Sequence, residues 1–117
     1  MLSAAAAISL AVLKISAPTL ASEDEKAFAT KTYTQCLLDR AEQLDDGISD
    51  ATSIAVGIMP GCSSAFQAVR EAFERGANPQ LRSMIDERLT SGRQGIAVSS
   101  VLTVRAARIK AKAAAQP

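Results

Sequence analysis

Two cysteines, a clot of aspartates and a few late cations are the residues of this 117-residue chain whose types and spacing could do chemistry. Cys36 and Cys62 stand far apart, with no Cys-x-x-Cys and no position at a helix N-terminus that would acidify a thiol. They read as a structural disulfide, with a pair of free buried thiols as the alternative. The chain holds no histidine. Two cysteines alone cannot complete a zinc tetrahedron, and a serine nucleophile would lack its base. There is no Gly-x-Ser-x-Gly turn and no glycine-rich phosphate loop. Nothing in the sequence sets two carboxylates in one apolar cleft. The expectation is a protein that is not an enzyme and carries no cofactor and no metal.

Asp39, Asp45, Asp46 and Asp50 invite a calcium reading. The order Asp45-Asp46-Gly47-Ile48-Ser49-Asp50 lacks the alternating ligands and distal glutamate of an EF-hand loop. Helix capping explains Ser49 and Asp50 without an ion. At the other end, Arg105, Arg108 and Lys112 share one helix face. They serve either as cations at the negative end of a helix macrodipole or as a surface for an anion or partner. An anionic membrane surface ranks below both, because the accompanying apolar face is weak.

These residues need elements to place them, and the composition points to helices. Apolar residues make up 48% of the chain and aromatics only 3%, with alanine prominent; alanine is the best helix former and lets helices approach closely. No period-2 run stands between turn residues. Net charge is +1, which argues against nucleic acid as a partner. The charge is unevenly spread. Residues 22–62 hold eight acidic and three basic side chains, and residues 63–117 four acidic and nine basic.

Leu2 to Leu13 form an apolar run, followed by Pro18 and a sharp polar switch at Ser22-Glu23-Asp24-Glu25. This reads as a secretory signal peptide, residues 1–21, cleaved after Ala21, with cleavage after Ala17 as the second choice. An uncleaved membrane anchor is the alternative, although the run is shorter than the roughly twenty residues that a span needs. The mature part, 22–117, is then expected in the periplasm or secreted, as a single helical domain.

Ser22 and Glu25 form a capping box for a helix from Glu23 to Leu44. Its apolar stripe is Phe28 or Ala29, Tyr33, Cys36, Leu37, Ala41 and Leu44. Gly47 is expected to close it, with Ile48 folded over the end. Ser49 or Asp50 caps a second helix to about Arg75, bent where Pro60-Gly61 interrupts it and stopped at Gly76. Its stripe runs through Ala51, Ile54, Ala55, Ile58, Cys62, Ala65, Phe66, Val69 and Phe73. With the turn at 47–49, residues whose numbers add to about 97 face each other, and Cys36 and Cys62 fit that rule. Helix axes roughly 8–10 Å apart leave about 3.4–5.4 Å between facing Cα atoms, which overlaps the range of a disulfide. Asn78-Pro79 starts a third helix to Thr90, burying Leu81, Met84, Ile85 and Leu89. A fourth, Ile96 to Ala114, buries Val98, Val101, Leu102 and Ile109; the two merge if Gly92 and Gly95 are tolerated. The predicted fold is all-α: a disulfide-stapled antiparallel helical hairpin, 23–75, plus one or two further helices within 79–114, in a small bundle.

The run Tyr33-Thr34-Gln35-Cys36, Ala41-x-x-Leu44-Asp45-Asp46-Gly47-x-Ser49-Asp50-Ala51, Ile54-Ala55 and Cys62 resembles the core of small uncharacterised exported bacterial two-cysteine helical proteins. That resemblance implies a signal peptide and a two-cysteine hairpin, and brings no activity with it. A looser similarity of type links the chain to small periplasmic acid-stress chaperones, whose cysteines are more widely spaced. The functional expectation is a non-catalytic envelope protein acting by protein–protein interaction, with itself or another envelope component. An acid- or stress-responsive holdase comes second and a small-ligand carrier third.

Overall fold

The computed structural model describes residues 20–116, so the expected signal peptide lies outside the described residues except for Leu20 and Ala21. Helix α1 spans Glu23–Leu44, α2 Ala51–Ile58, α3 Ser63–Glu74 and α4 Pro79–Ala115, with a 3-10 turn, Met59–Cys62, joining α2 to α3. Every described element is helical, and among the described residues no helix is long and apolar enough to cross a membrane.

α1 begins as the sequence predicts. The Ser22 hydroxyl accepts from the Glu25 amide at 3.1 Å, and three acidic residues occupy the first turn. Glu25 does not complete the box. Its carboxylate instead receives Arg75 at 2.5 Å, which ties the foot of α1 to the end of α3. The hydroxyls of Thr30, Thr32 and Thr34 each donate to the carbonyl four residues back, so a run of poor helix formers stays satisfied within the helix.

The second arm is the expected bent helix. Pro60 has no N–H to offer the Val56 carbonyl, and its ring would press on that carbonyl in an α-helix. The chain tightens into a 3-10 turn at this point and resumes as α3. Apolar phase survives the interruption: Ala55, Ile58, Cys62, Phe66, Val69 and Ala72 are all buried. Gly76, at φ +77°, ends α3 as predicted.

The two arms run antiparallel, as shown by Glu25–Arg75, Lys26–Phe73, Tyr33–Phe66 and Cys36–Cys62. The Tyr33 and Phe66 rings meet at 5.3 Å. The disulfide closes with its Cα atoms 5.9 Å apart, within the range that unstrained bridges occupy. Gly61 sits where Arg40 crosses the turn; a Cβ there would lie 2.9 Å from the Arg40 Nε.

Beyond Glu25, four further expectations are corrected. Leu44, expected in the buried stripe of α1, is 53% exposed. Ile48 does not fold over the end of α1; it is 90% exposed, because the Asp46 side chain closes that loop in its place. α4 is one 37-residue helix and not two. Arg93, stacked on Phe66, and buried Ala97 anchor its inner face on either side of Gly95, and this packing overrides the glycines' weak helix propensity. Continuous phase then decides which residues point inward. Ala97, Ser100, Val101 and Val104 are buried, whereas Leu81, Met84, Leu102 and Ile109 face solvent against expectation.

α4 lies parallel to α1 and antiparallel to α3, since Arg93 faces Tyr33, Arg105 meets Asp45, and Arg70 pairs with Asp86 at 2.6 Å. Ala41, Ala55 and Ala97 have no exposed surface, and these small residues let three helices come together. Leu37, Ile58, Val101 and Cys62 fill the rest.

Replacing both cysteines by serine is expected to lower the unfolding free energy by about 3–4 kcal/mol in the chain-entropy model. Urea titration of the oxidised protein and the double variant measures it. Equal midpoints would show that the bridge adds nothing to the fold.

Candidate functional site

The densest group of charged side chains is assembled where α1, the 45–50 loop and α4 meet. Asp45 is the C-cap of α1, and its backbone N–H donates to the Ala41 carbonyl at 2.8 Å. Its carboxylate has no exposed surface, although Leu44 beside it is half exposed. Arg105 and Arg108, one turn apart on α4, both reach this carboxylate, at 2.8 and 3.3 Å. Each guanidinium also takes backbone carbonyls. Arg105 donates to that of Ser49, and Arg108 to those of Asp45 (3.0 Å) and Glu42 (2.5 Å). Two of the carbonyls left open at the end of α1 thus receive cationic donors.

The loop beyond is tied by aspartates. Asp46 accepts the Ser49 hydroxyl at 2.5 Å and the amides of Ser49 and Ile48 at 2.7 and 2.9 Å. Asp50 caps α2 by accepting from Ser53. Gly47, at φ +74°, makes the left-handed turn within the loop and donates its amide to Asp45. These contacts set the acidities. The Arg105 hydrogen bonds hold the Asp45 carboxyl below the ordinary carboxylate range against the opposing effect of burial, with help from the Gly47 amide and both arginine charges. Ser49, through its hydroxyl and then its amide, together with the Ile48 amide, brings Asp46 down to about 2.

The residues expected to form an anion or partner surface are therefore divided. Arg105 and Arg108 hold an anion from their own chain, the Asp45 carboxylate. Lys112 lines the outer edge of the same cleft with Gly47 and Ile109. Of the four aspartates first considered together, Asp39 is on the outer face of α1 and accepts from Gln35. The other three hold the loop. Among the described residues no group of carboxylates or cysteines has metal-binding geometry. Sequence patterning named Asp45 within the aspartate cluster but missed what it pairs with, although a carboxylate at the C-terminal end of a helix opposes the macrodipole. Its reason is a partner sixty residues away. The acidic first half and basic second half were the one sign that the aspartates and the basic face belong together.

The disulfide is the second reactive feature. Cys36 is half-buried and borders an open groove along α1 with Phe28, Lys31, Gln35 and Arg40, whereas Cys62 is buried. A thiolate can approach only the Cys36 sulfur, and attack there would expel the Cys62 thiolate into the apolar core. Against the sequence expectation, Cys62 is the N-cap residue of α3, whose positive end favours a thiolate, while its burial disfavours one; the two effects oppose each other at that leaving group. A third cluster bridges α3 and α4. Arg93 lies 4.7 Å over the Phe66 ring. Burial pushes the Tyr33 phenol up, partly offset by Arg93.

Because folding lowers the pKa of Asp45 and Asp46, the unfolded chain binds more protons than the folded one at about pH 4 and somewhat below. Their stabilisation is complete above the unfolded carboxylate range near 4 and is lost as pH falls towards the folded values. Denaturant titrations are expected to show stability falling from about pH 4 to about pH 2, and a shallower fall for Asp45→Asn. Parallel profiles would show that Asp45 does not drive the loss. No family model, curated protein or solved structure matches this chain.

Proposed function

We propose that the chain is an exported envelope protein that acts by binding another protein and performs no catalysis. The observation that carries this reading is where its reactive and apolar groups stand. Arg105, Arg108, Asp45 and Asp46 are engaged in holding the fold, while Leu81, Met84, Ile96, Leu102 and Ile109 stand exposed along one helix. Phe28, Leu44, Ile48 and Val56 are exposed on other elements as well, and apolar surface left open in this way is what a protein interface requires. The disulfide fits an oxidising compartment.

A second reading, an acid-responsive holdase, is favoured by the Asp45 clamp. Protonation of that carboxylate removes the charge holding α4 beside the α1 terminus, and the core at Leu37 and Val101 lies beneath it. Aggregation-suppression assays across pH discriminate: protection appearing only below about pH 4 supports the holdase, and none at any pH rejects it.

Export is tested on protein purified from its host. Intact mass is expected to correspond to a chain starting at Ser22 or at Pro18. Ala21 is buried and Leu20 touches Gly76, contacts that only the Pro18 start retains. A mass including Met1 would contradict cleavage. Crosslinking in intact cells is expected to give a discrete protein adduct through α4, and a strictly monomeric, adduct-free chain would contradict the binding role.

A further inference from the structure

The two sulfurs of the disulfide are unequally placed. Cys36 borders an open groove of about 620 Å³ along α1, whereas Cys62 is 1% exposed. An external thiolate attacks a disulfide along the sulfur–sulfur axis, from the side away from the leaving sulfur. With Cys62 inside and Cys36 on the groove, the open side is the groove. Lys31 and Arg40 line it, and the exposed Phe28 stands at its N-terminal end. Neither cation makes an ion pair among the described residues. Asp39, the carboxylate on the same groove, is engaged by the Gln35 amide.

We propose that Cys36 is a thiol-exchange site: an external anionic thiol enters through this groove, joins Cys36 and releases Cys62. The thiolate R–S⁻ bonds to the Cys36 sulfur as the bond between the two cysteines breaks. The electron pair of that bond leaves on Cys62, which takes a proton from water. The products are a mixed disulfide between R and Cys36 and a Cys62 thiol, and the step consumes no other oxidant or reductant. Cys62 then returns to expel R–S⁻ and restore the bridge. Alternatively, a second external thiolate attacks the R sulfur, giving R–S–S–R and leaving both cysteines reduced.

Position assists the departure of Cys62. It is the N-cap residue of α3, no side chain caps that end, and the positive end of a helix favours a thiolate. Burial slows the departure without redirecting the attack, because Cys36 carries the sulfur within reach. Lys31 and Arg40 add a second selection, drawing the thiolate form and favouring a negatively charged thiol over an uncharged one. The consequence is local. The turn Met59–Cys62 is held to α1 by the bridge, beside Arg40 where it passes Gly61. Opening the bridge frees the joint between α2 and α3, while Glu25–Arg75 and the Asp45 clamp still hold the two ends of α1. Exchange therefore loosens the hairpin at its bend and not at its ends.

The test uses the full oxidised chain in native buffer at about pH 8, where part of a thiol is ionised, with glutathione as the probe. Peptide mass mapping after an acid quench is expected to find glutathione on Cys36 about tenfold or more over Cys62. The rate is expected to rise in proportion to glutathione concentration. Lys31→Gln and Arg40→Gln are each expected to slow it about two- to threefold, while reaction with uncharged 2-mercaptoethanol changes little. Equal labelling of the two cysteines, or a rate that levels off at that of global unfolding, would overturn the proposal, since only the unfolded chain would then react. Indifference of the glutathione rate to both charge changes would overturn the part given to the groove. Thioredoxin, a protein dithiol, compared with glutathione at equal thiol concentration, distinguishes the sources: faster opening by thioredoxin names a protein donor, and faster opening by glutathione a small one. These readouts do not involve α4, so the exchange site and the binding role proposed above can fail separately.

Discussion

A carboxylate with no exposed surface, held by two arginines from a helix sixty residues away, determines how this molecule is arranged. Asp45 ends α1 and begins the loop to α2, and Arg105 and Arg108 bring α4 to that junction. Breaking such a pair is costly, since one charge is left without its partner in a poorly solvated place. Its net gain over an apolar contact is small, so its main effect is on geometry. Two guanidinium groups that also take the carbonyls of Glu42, Asp45 and Ser49 define both the height and the rotation of α4. Rotation in turn decides which residues of α4 are buried and which are presented outward.

The disulfide plays the matching part near the middle of the hairpin. It joins α1 to the 3-10 turn where Pro60 denies the second arm a helical hydrogen bond. A covalent link is placed where the backbone ladder is weakest. Away from it, contacts between the arms are modest: a ring pair at Tyr33 and Phe66, a lysine over Phe73, and an ion pair at Glu25. Part of the unequal charge of the two halves is an internal complement. Glu25 with Arg75, and Asp45 with Arg105 and Arg108, join the acidic half to the basic one.

Much of the hairpin was legible because its determinants are local or obey a simple register. Ser22 and Asp50 cap, Gly76 stops a helix, and Cys36 and Cys62 face each other once the turn is placed. α4 was less legible. Its alanine-rich sequence offers apolar residues on several faces, so Leu102 and Ile109 could be assigned to the core as readily as Val104. Long-range contacts resolve that choice: the Asp45 clamp at one end of α4, and Arg93 on Phe66 and Asp86 with Arg70 nearer the other. Gly92 and Gly95 suggested a break for the same reason: local propensity was read without the packing on either side. The site at Asp45 was visible as two separate groups, an aspartate cluster and a basic helix face. Nothing local indicated that each was the other's partner.

The placement of α4 therefore depends on Asp45 and Arg105 acting as a unit, and a double-mutant cycle measures that. Unfolding free energies at neutral pH for the parent, Asp45→Asn, Arg105→Gln and the double variant are expected to be strongly non-additive, the double variant scarcely less stable than Asp45→Asn alone. Simple additivity of the two losses would mean that the carboxylate and the guanidinium do not hold each other, and that α4 is oriented by something else.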